Sequence, residues 1–340
     1  MANSTNSISG PLGRLGRSAG MLALAAIAAA ALTTLVSRGD QTAGNDSFYG
    51  MVVGPQVDVD RAIPKLGALG VNTVRLRMSV KDWANPAANT GAAAYDGALA
   101  QAPKLDAKGF RVVLQVDSEG GAMPSYARAK ALFTWLMNRP GAKSVDVVEV
   151  LGPVTDTASD ADAFSTTLTR AQQAKRYVDG PLKAAWEVVH GSKRKKVLGA
   201  AFTPYQQVAD GRAAGSGNLS VTQAYVKAGY LDRVDYAGFH PDQSTVALQE
   251  AWVRRATDLL GRKPVWVSEW QLNRQAYPDD GAYLNAMGQT LTNLRSTLGV
   301  ACYSGFTEQE GVVPVTSGGL GGYREEDPAF KTYREWPKKS

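Results

Sequence analysis

Cysteine and histidine are nearly absent from this chain, and each shortage excludes a class of site. Cys302 is the single thiol in 340 residues, which rules out an internal disulfide and a multi-cysteine metal centre. His190 and His240 are the only histidines, too few for a histidine-rich metal cluster, so no metal is expected. The glycine-rich first turn of a doubly wound open sheet, the alternative α/β fold, is missing, which disfavours that fold; no cofactor is expected. Nucleic-acid-binding motifs are missing as well, so the formal net charge of +6 does not point to nucleic acid. Part of that charge is local, in Lys193-Arg194-Lys195-Lys196 and Lys338-Lys339. Such runs read as solvated loops ahead of contacts to phospholipid or another acidic partner.

What is present is the composition of a folded soluble protein, 44% hydrophobic and 20% charged, with length enough for one large core. The N-terminus is the exception. Ser18 to Ser37 is a run of 20 uncharged residues centred on Met21-Leu22-Ala23-Leu24-Ala25-Ala26-Ile27 and the alanines that follow. As a helix it would be roughly 30 Å long, enough to cross a hydrocarbon core. Arg14 and Arg17 precede it, so residues 1–17 are expected in the cytoplasm and the rest of the chain outside it, in the periplasm or its equivalent. A cleaved signal peptide also fits. A retained single-pass anchor is preferred because the apolar run exceeds the usual signal core of about 7–15 residues.

Residues 38–47 are polar and rich in turn-formers, and read as a linker. From residue 48 onward short apolar strands alternate with helical stretches. Strands are expected at Phe48–Val53, Thr73–Met78, Arg111–Val116, Val145–Leu151, Val197–Phe202, Val234–Phe239, Pro264–Val267 and Val300–Phe306. Helices are expected at Asp58–Leu69, Tyr95–Lys108, Tyr126–Asn138, Ala161–Val189 with a break at Pro181, Thr222–Ala228, Ala247–Leu260 and Tyr283–Leu298. Gly70, Gly109 and Gly299 stand where a helix would end and a strand begin. This is an α/β chain, and eight strand–helix units in about 290 residues fit a (β/α)8 barrel over residues 48–340, preceded by the membrane helix.

In such a barrel the chemistry sits at the C-terminal strand ends. Taken in order, those ends offer Arg75 and Arg77, Asp117 and Glu119, Gly152-Pro153, Tyr205, His240, Glu269 and Trp270, and Glu308 and Glu310. Trp83 lies near the end of the second strand. Carboxylates, aromatics, an arginine and a histidine on one rim suit a carbohydrate, whose rings stack on aromatic faces. The candidate substrate-binding residues are therefore Arg75, His240, Trp270, Tyr205 and Trp83.

The segments Gly70-Val71-Asn72-Thr73-Val74-Arg75-Leu76-Arg77, Gly109-Phe110-Arg111-Val112-Val113-Leu114, Val234-Asp235-Tyr236-Ala237-Gly238-Phe239-His240-Pro241 and Trp266-Val267-Ser268-Glu269 resemble those of the retaining (β/α)8 glycoside hydrolases, the clan of many cellulases and xylosidases. The likeness extends to Gly311-Val312-Val313 and to Asp327–Tyr333, and so covers roughly residues 48–336. It implies that Glu269 stands where the clan has its nucleophile. The departure is on strand four. The clan ends that strand in Asn-Glu-Pro, with the Glu as acid/base, and the resemblance puts Gly152 and Pro153 at the Asn and Glu positions. Glu149 is four residues earlier, about 13 Å down a strand at about 3.3 Å per residue, and is expected to lie out of reach.

Two readings of Glu269 stand at this point: a working nucleophile, or a vestigial carboxylate paired with Arg75. The reading taken forward is a membrane-tethered, glycosidase-like barrel without its acid/base, serving as a structural or binding subunit of an integral-membrane complex. No residue pattern selects which complex, a respiratory or photosynthetic one included. The rivals are an active retaining glycosidase with a relocated acid and a non-catalytic glycan-binding module.

Overall fold

The computed structural model describes residues 48–335, except 56, 90–94, 119–122, 153, 156–167, 193–194, 204–218, 242–244, 273–275, 296–298, 305, 308–310 and 313–332. β-Branched runs such as Val112-Val113 and Val147-Val148 favour strands buried on both faces. Eight strands form at or near the expected places: β1 Tyr49–Val53, β2 Thr73–Val80, β3 Arg111–Ser118, β4 Val147–Val150, β5 Lys196–Leu198, β6 Ala237–Phe239, β7 Val265–Trp270 and β8 Ala301–Tyr303. All pair in parallel. β1 to β5 follow one another in order, β6 pairs with β7, β7 with β8, and β8 returns to β1 through Tyr49↔Ala301.

The ring closes between β4, β5 and β6 in a less regular way. Past the ends of β4 and β5, the short pieces Val154–Thr155 and Phe202–Thr203 pair with each other, and Phe202 also pairs with Phe239 of β6. A single bridge joins Leu198 to Tyr236. Two tyrosine hydroxyls make up for missing ladder bonds there. Tyr177 donates to the Val150 carbonyl at 2.8 Å and accepts from the Ala200 amide at 2.8 Å. Tyr230 donates to the Ala200 carbonyl at 3.2 Å and accepts from the Gly238 amide at 3.1 Å. Buried main-chain groups need partners, and here side chains supply them.

The helices are α1 Val59–Ala68, α2 Tyr95–Asp106, α3 Tyr126–Met137, α4 Arg170–Tyr177, α5 Lys183–Val188, α6 Ser220–Lys227, α7 Val246–Leu260 and α8 Asp280–Arg295. Thr169 and Gln172 form a reciprocal capping box at the start of α4. The break expected at Pro181 is a π-turn over Val178–Leu182, between α4 and α5. Gly70 and Gly109 hold φ of +66° and +82° after α1 and α2, as a glycine helix end requires. Gly299 has another purpose. A Cβ there would come within 2.6 Å of Trp266 Nε1, so the strand entry is small to let the indole in.

Several strand boundaries differ from expectation, and two of them have a visible cause. β4 stops at Val150 because Leu151 turns to φ +69°, a left-handed conformation that breaks the pleat. β8 stops at Tyr303, and Phe306–Thr307 instead pairs with Gly311–Val312 in an antiparallel hairpin.

Most of the core lies between strands and helices, while Val52, Val113, Val147, Leu198, Trp266, Val300 and Cys302 fill the lower barrel interior. Trp266 stacks on Tyr236 at 4.1 Å between centroids, closing that end. Among the described residues no helix is long and apolar enough to cross a membrane. The expected anchor at 18–37, with its flanks 1–17 and 38–47, lies outside the described residues.

The tyrosine seam yields a paired expectation. Tyr177→Phe leaves a buried carbonyl and a buried amide without their partner and should cost about 1–3 kcal/mol. Tyr225→Phe removes a buried hydroxyl that has no hydrogen-bond partner among the described residues, and should be neutral or stabilising. Urea unfolding of the two variants checks this, and equal losses would refute the role given to Tyr177.

Candidate functional site

On β7, neighbouring side chains should point to opposite faces of the sheet. They do not at Ser268 and Glu269. Val267 is opposite Ala301 and Trp270 opposite Tyr303, so β7 carries one residue more than β8 over this stretch. A bulge of this kind re-aims side chains. Here it lets consecutive residues reach the two partners of one buried ion pair inside the barrel: Ser268 Oγ donates to Glu149 Oε1 at 2.8 Å, and Glu269 Oε2 accepts from Arg75 Nη1 at 3.1 Å.

Arg75 is the centre of the site. Its Nε donates to Glu149 Oε2 at 2.6 Å and its Nη2 to Glu149 Oε1 at 3.2 Å, a two-point contact along one edge of the guanidinium. Arg75 and Glu149 are wholly buried, whereas the Glu269 side chain is 32% exposed. Burial alone would lower the Arg75 pKa, but Glu149 first and Glu269 second more than reverse it, and the guanidinium is held above its ordinary value.

His240 closes the network. Its Nε2 lies 2.8 Å from Ser268 Oγ, and the ring is buried. Burial, with Arg75 and then Arg77 nearby, pushes its pKa well below the ordinary range, so the imidazole is neutral. Arg77 is exposed at the mouth and donates from Nε to Gln115 Oε1 at 3.1 Å. The thiol of Cys302 beneath is pushed up to about 12 by burial. Among the described residues no three metal-ligating side chains converge.

The rim of strand four is built differently. The Gly152 amide donates to Asp117 Oδ1 at 3.0 Å, and the Ser118 amide donates to the same oxygen at 2.8 Å. A Cβ on residue 152 would lie 2.8 and 2.9 Å from the two Asp117 oxygens. The asparagine that the clan resemblance asks for at this position therefore does not fit while Asp117 stays. Pro153 lies outside the described residues.

Of the residues singled out from sequence, the structure brings together Glu269, Arg75 and His240. Trp270 and Trp83 lie elsewhere, in the strand–helix core. Trp270 is 1% exposed and packs edge-on against Tyr303, and Trp83 is 6% exposed with its Nε1 donating to Ser118 Oγ at 3.2 Å. Tyr205, Glu119, Glu308 and Glu310 lie outside the described residues. Sequence reasoning missed two members. Glu149 was set aside by its distance from its own strand end, yet Arg75 joins it to Glu269. The available signal was a carboxylate inside Val147-Val148-Glu149-Val150, since a charge in an apolar strand needs a buried partner. Ser268 carried no such signal, because its inward turn depends on the bulge.

No family profile matches the chain, and no curated protein matches it in sequence. Its fold is that of the (β/α)8 glycoside hydrolases. A fungal β-1,4-galactanase structure matches at a TM-score of 0.55 and 14% identity over 85% of this chain and 99% of the other. The endo-1,4-β-D-mannanase of Thermotoga petrophila matches at 0.56 and 12%, over 86% and 99%. The GH53 catalytic domain of Ignisphaera aggregans matches at 0.54 and 15%, over 86% and 97%.

Arg75→Met would leave Glu149 buried without its counter-ion and should destabilise the fold by about 3–5 kcal/mol in denaturant unfolding; a loss under about 1 kcal/mol would refute the central placement of Arg75. His240 gives a pH expectation. The unfolded chain takes up a proton near the ordinary value of 6.5 and the folded chain does not. Stability should therefore fall as pH drops below about 6.5, by up to about 1.4 kcal/mol per pH unit. In His240→Gln that part of the slope should vanish, and an unchanged slope would contradict the assignment.

Proposed function

We propose that this protein is a glycosidase-like barrel that does not hydrolyse glycosides and acts as a binding or structural subunit, tethered to a membrane through residues 18–37 with the barrel on the extracytoplasmic side. The observation that carries the first half is the end of strand four. Retaining hydrolysis needs a nucleophile and an acid/base carboxyl about 5–5.5 Å apart. At the place of the second, Gly152 is clamped against Asp117, and the next residue, a proline, has no proton to give. Glu149 is no substitute, being wholly buried with its oxygens engaged by Arg75 and Ser268. The membrane half rests on the uncharged run Ser18–Ser37 after Arg14 and Arg17. A surface can be kept for binding after its chemistry is lost, and a tethered surface suits a partner in the membrane.

One observation favours a second reading. The Asp117 carboxylate fills the space where a side chain on residue 152 would begin. If the barrel is an active retaining glycosidase, Glu269 is its nucleophile and Asp117 its relocated acid.

A panel of 4-nitrophenyl glycosides separates the two. The expected result is release no faster than without protein, and no difference between the wild type and Glu269→Gln. Turnover that is lost in both Glu269→Gln and Asp117→Asn overturns the non-hydrolytic reading. For the tether, the full chain should fractionate with membranes and leave them in mild detergent as part of a larger assembly. Recovery as a free monomer, or a mature N-terminus beyond Ala31, counts against it.

A further inference from the structure

Neither reading uses the hydrogen-bonded chain beneath the rim, yet counting its protons leaves only one arrangement. Glu149 receives Arg75 Nε–H at 2.6 Å and Arg75 Nη2–H at 3.2 Å, with both residues wholly buried. A carboxylate held along the edge of a guanidinium is ionised and can only accept. Ser268 Oγ lies 2.8 Å from Glu149 Oε1 and must therefore spend its one hydrogen there. That leaves the serine oxygen an acceptor toward His240 Nε2, also at 2.8 Å. Nε2 must then carry the ring hydrogen. The ring is neutral in this setting, enclosed by protein with Arg75 and Arg77 as the nearest cationic groups.

We infer that Ser268 and Glu149 are positioning residues that fix His240 as its Nε2–H tautomer, so that at the barrel rim its Nδ1 is a hydrogen-bond acceptor and never a proton donor. The consequence for binding is a polarity: what meets this nitrogen must bring a hydrogen, as a hydroxyl or an ammonium group does. An anionic oxygen, which can only accept, is turned away. The direction is set by Arg75, since its grip on Glu149 orients each hydrogen in the chain above it. The inference concerns the unliganded protein and holds whether the barrel hydrolyses, binds or only supports a partner.

Nitrogen-15 NMR of the uniformly labelled protein at neutral pH reads the tautomer directly, with His190→Gln distinguishing the two histidines. The expected wild-type spectrum has His240 protonated at Nε2 and bare at Nδ1. Ser268→Ala removes the acceptor, so both tautomers should appear. Glu149→Gln should reverse the assignment: the carboxamide N–H donates to Ser268, whose hydrogen then turns to Nε2 and leaves the ring proton on Nδ1. A merely space-filling role for Ser268 and Glu149 would move neither signal. A wild-type ring protonated at Nδ1 or at both nitrogens overturns the inference, as does an unchanged tautomer in Ser268→Ala. The wild-type and Ser268→Ala spectra decide the matter even if Glu149→Gln does not fold.

Discussion

Everything at the mouth of this barrel hangs from one guanidinium. Arg75 is buried without exposure and holds Glu149 along one edge and Glu269 at Nη1. Taking an arginine and a carboxylate out of water costs several kcal/mol per ion, and replacing such a set by apolar side chains is often neutral or stabilising. Stability is thus a poor reason for the arrangement. What it provides is position. Two strands on opposite sides of the ring, β4 and β7, are tied through a third, β2. The one carboxylate of the pair that reaches the mouth is held by its neighbour's counter-ion.

The bulge in β7 decides what that carboxylate can do. In a regular strand, turning Ser268 toward Glu149 would turn Glu269 outward. The extra residue between the pairs Val267–Ala301 and Trp270–Tyr303 removes the choice. Ser268 goes down into the buried network and Glu269 stays at its upper edge, one third exposed. The bulge also sends Trp270 into the strand–helix core against Tyr303, away from the groove-lining role expected of it. One local irregularity thus accounts for the placement of three consecutive residues.

The barrel itself was legible in the sequence for a plain reason. Parallel strands buried on both faces leave apolar runs, and helix ends at Gly70 and Gly109 leave glycines, so the alternation survives without any relative to compare it with. The pairing of Arg75 with Glu269 was legible too, as one of two readings of the same carboxylate. What was hidden depended on register and on rotation about strand axes. Glu149 looked remote because distance was counted along its own strand, whereas Arg75 spans the interior between strands. The two tryptophans looked like rim residues because a strand-end position does not say which face a side chain takes. Gly299 looked like a helix terminator and is instead a space left for Trp266.

The rim of strand four is built on a different constraint. The Asp117 carboxylate is within hydrogen-bonding range of the Gly152 amide, and the left-handed turn at Leu151 delivers that amide. A left-handed leucine costs about 1–3 kcal/mol and persists only where its surroundings hold it. Here they do: its own amide is bonded to the Val116 carbonyl at 2.8 Å, and the next amide is bonded to Asp117. The strained turn and the aspartate support each other, so a single substitution would not give a regular strand end here. Glu269 is held by Arg75, while the end of strand four is held by its own internal bonds.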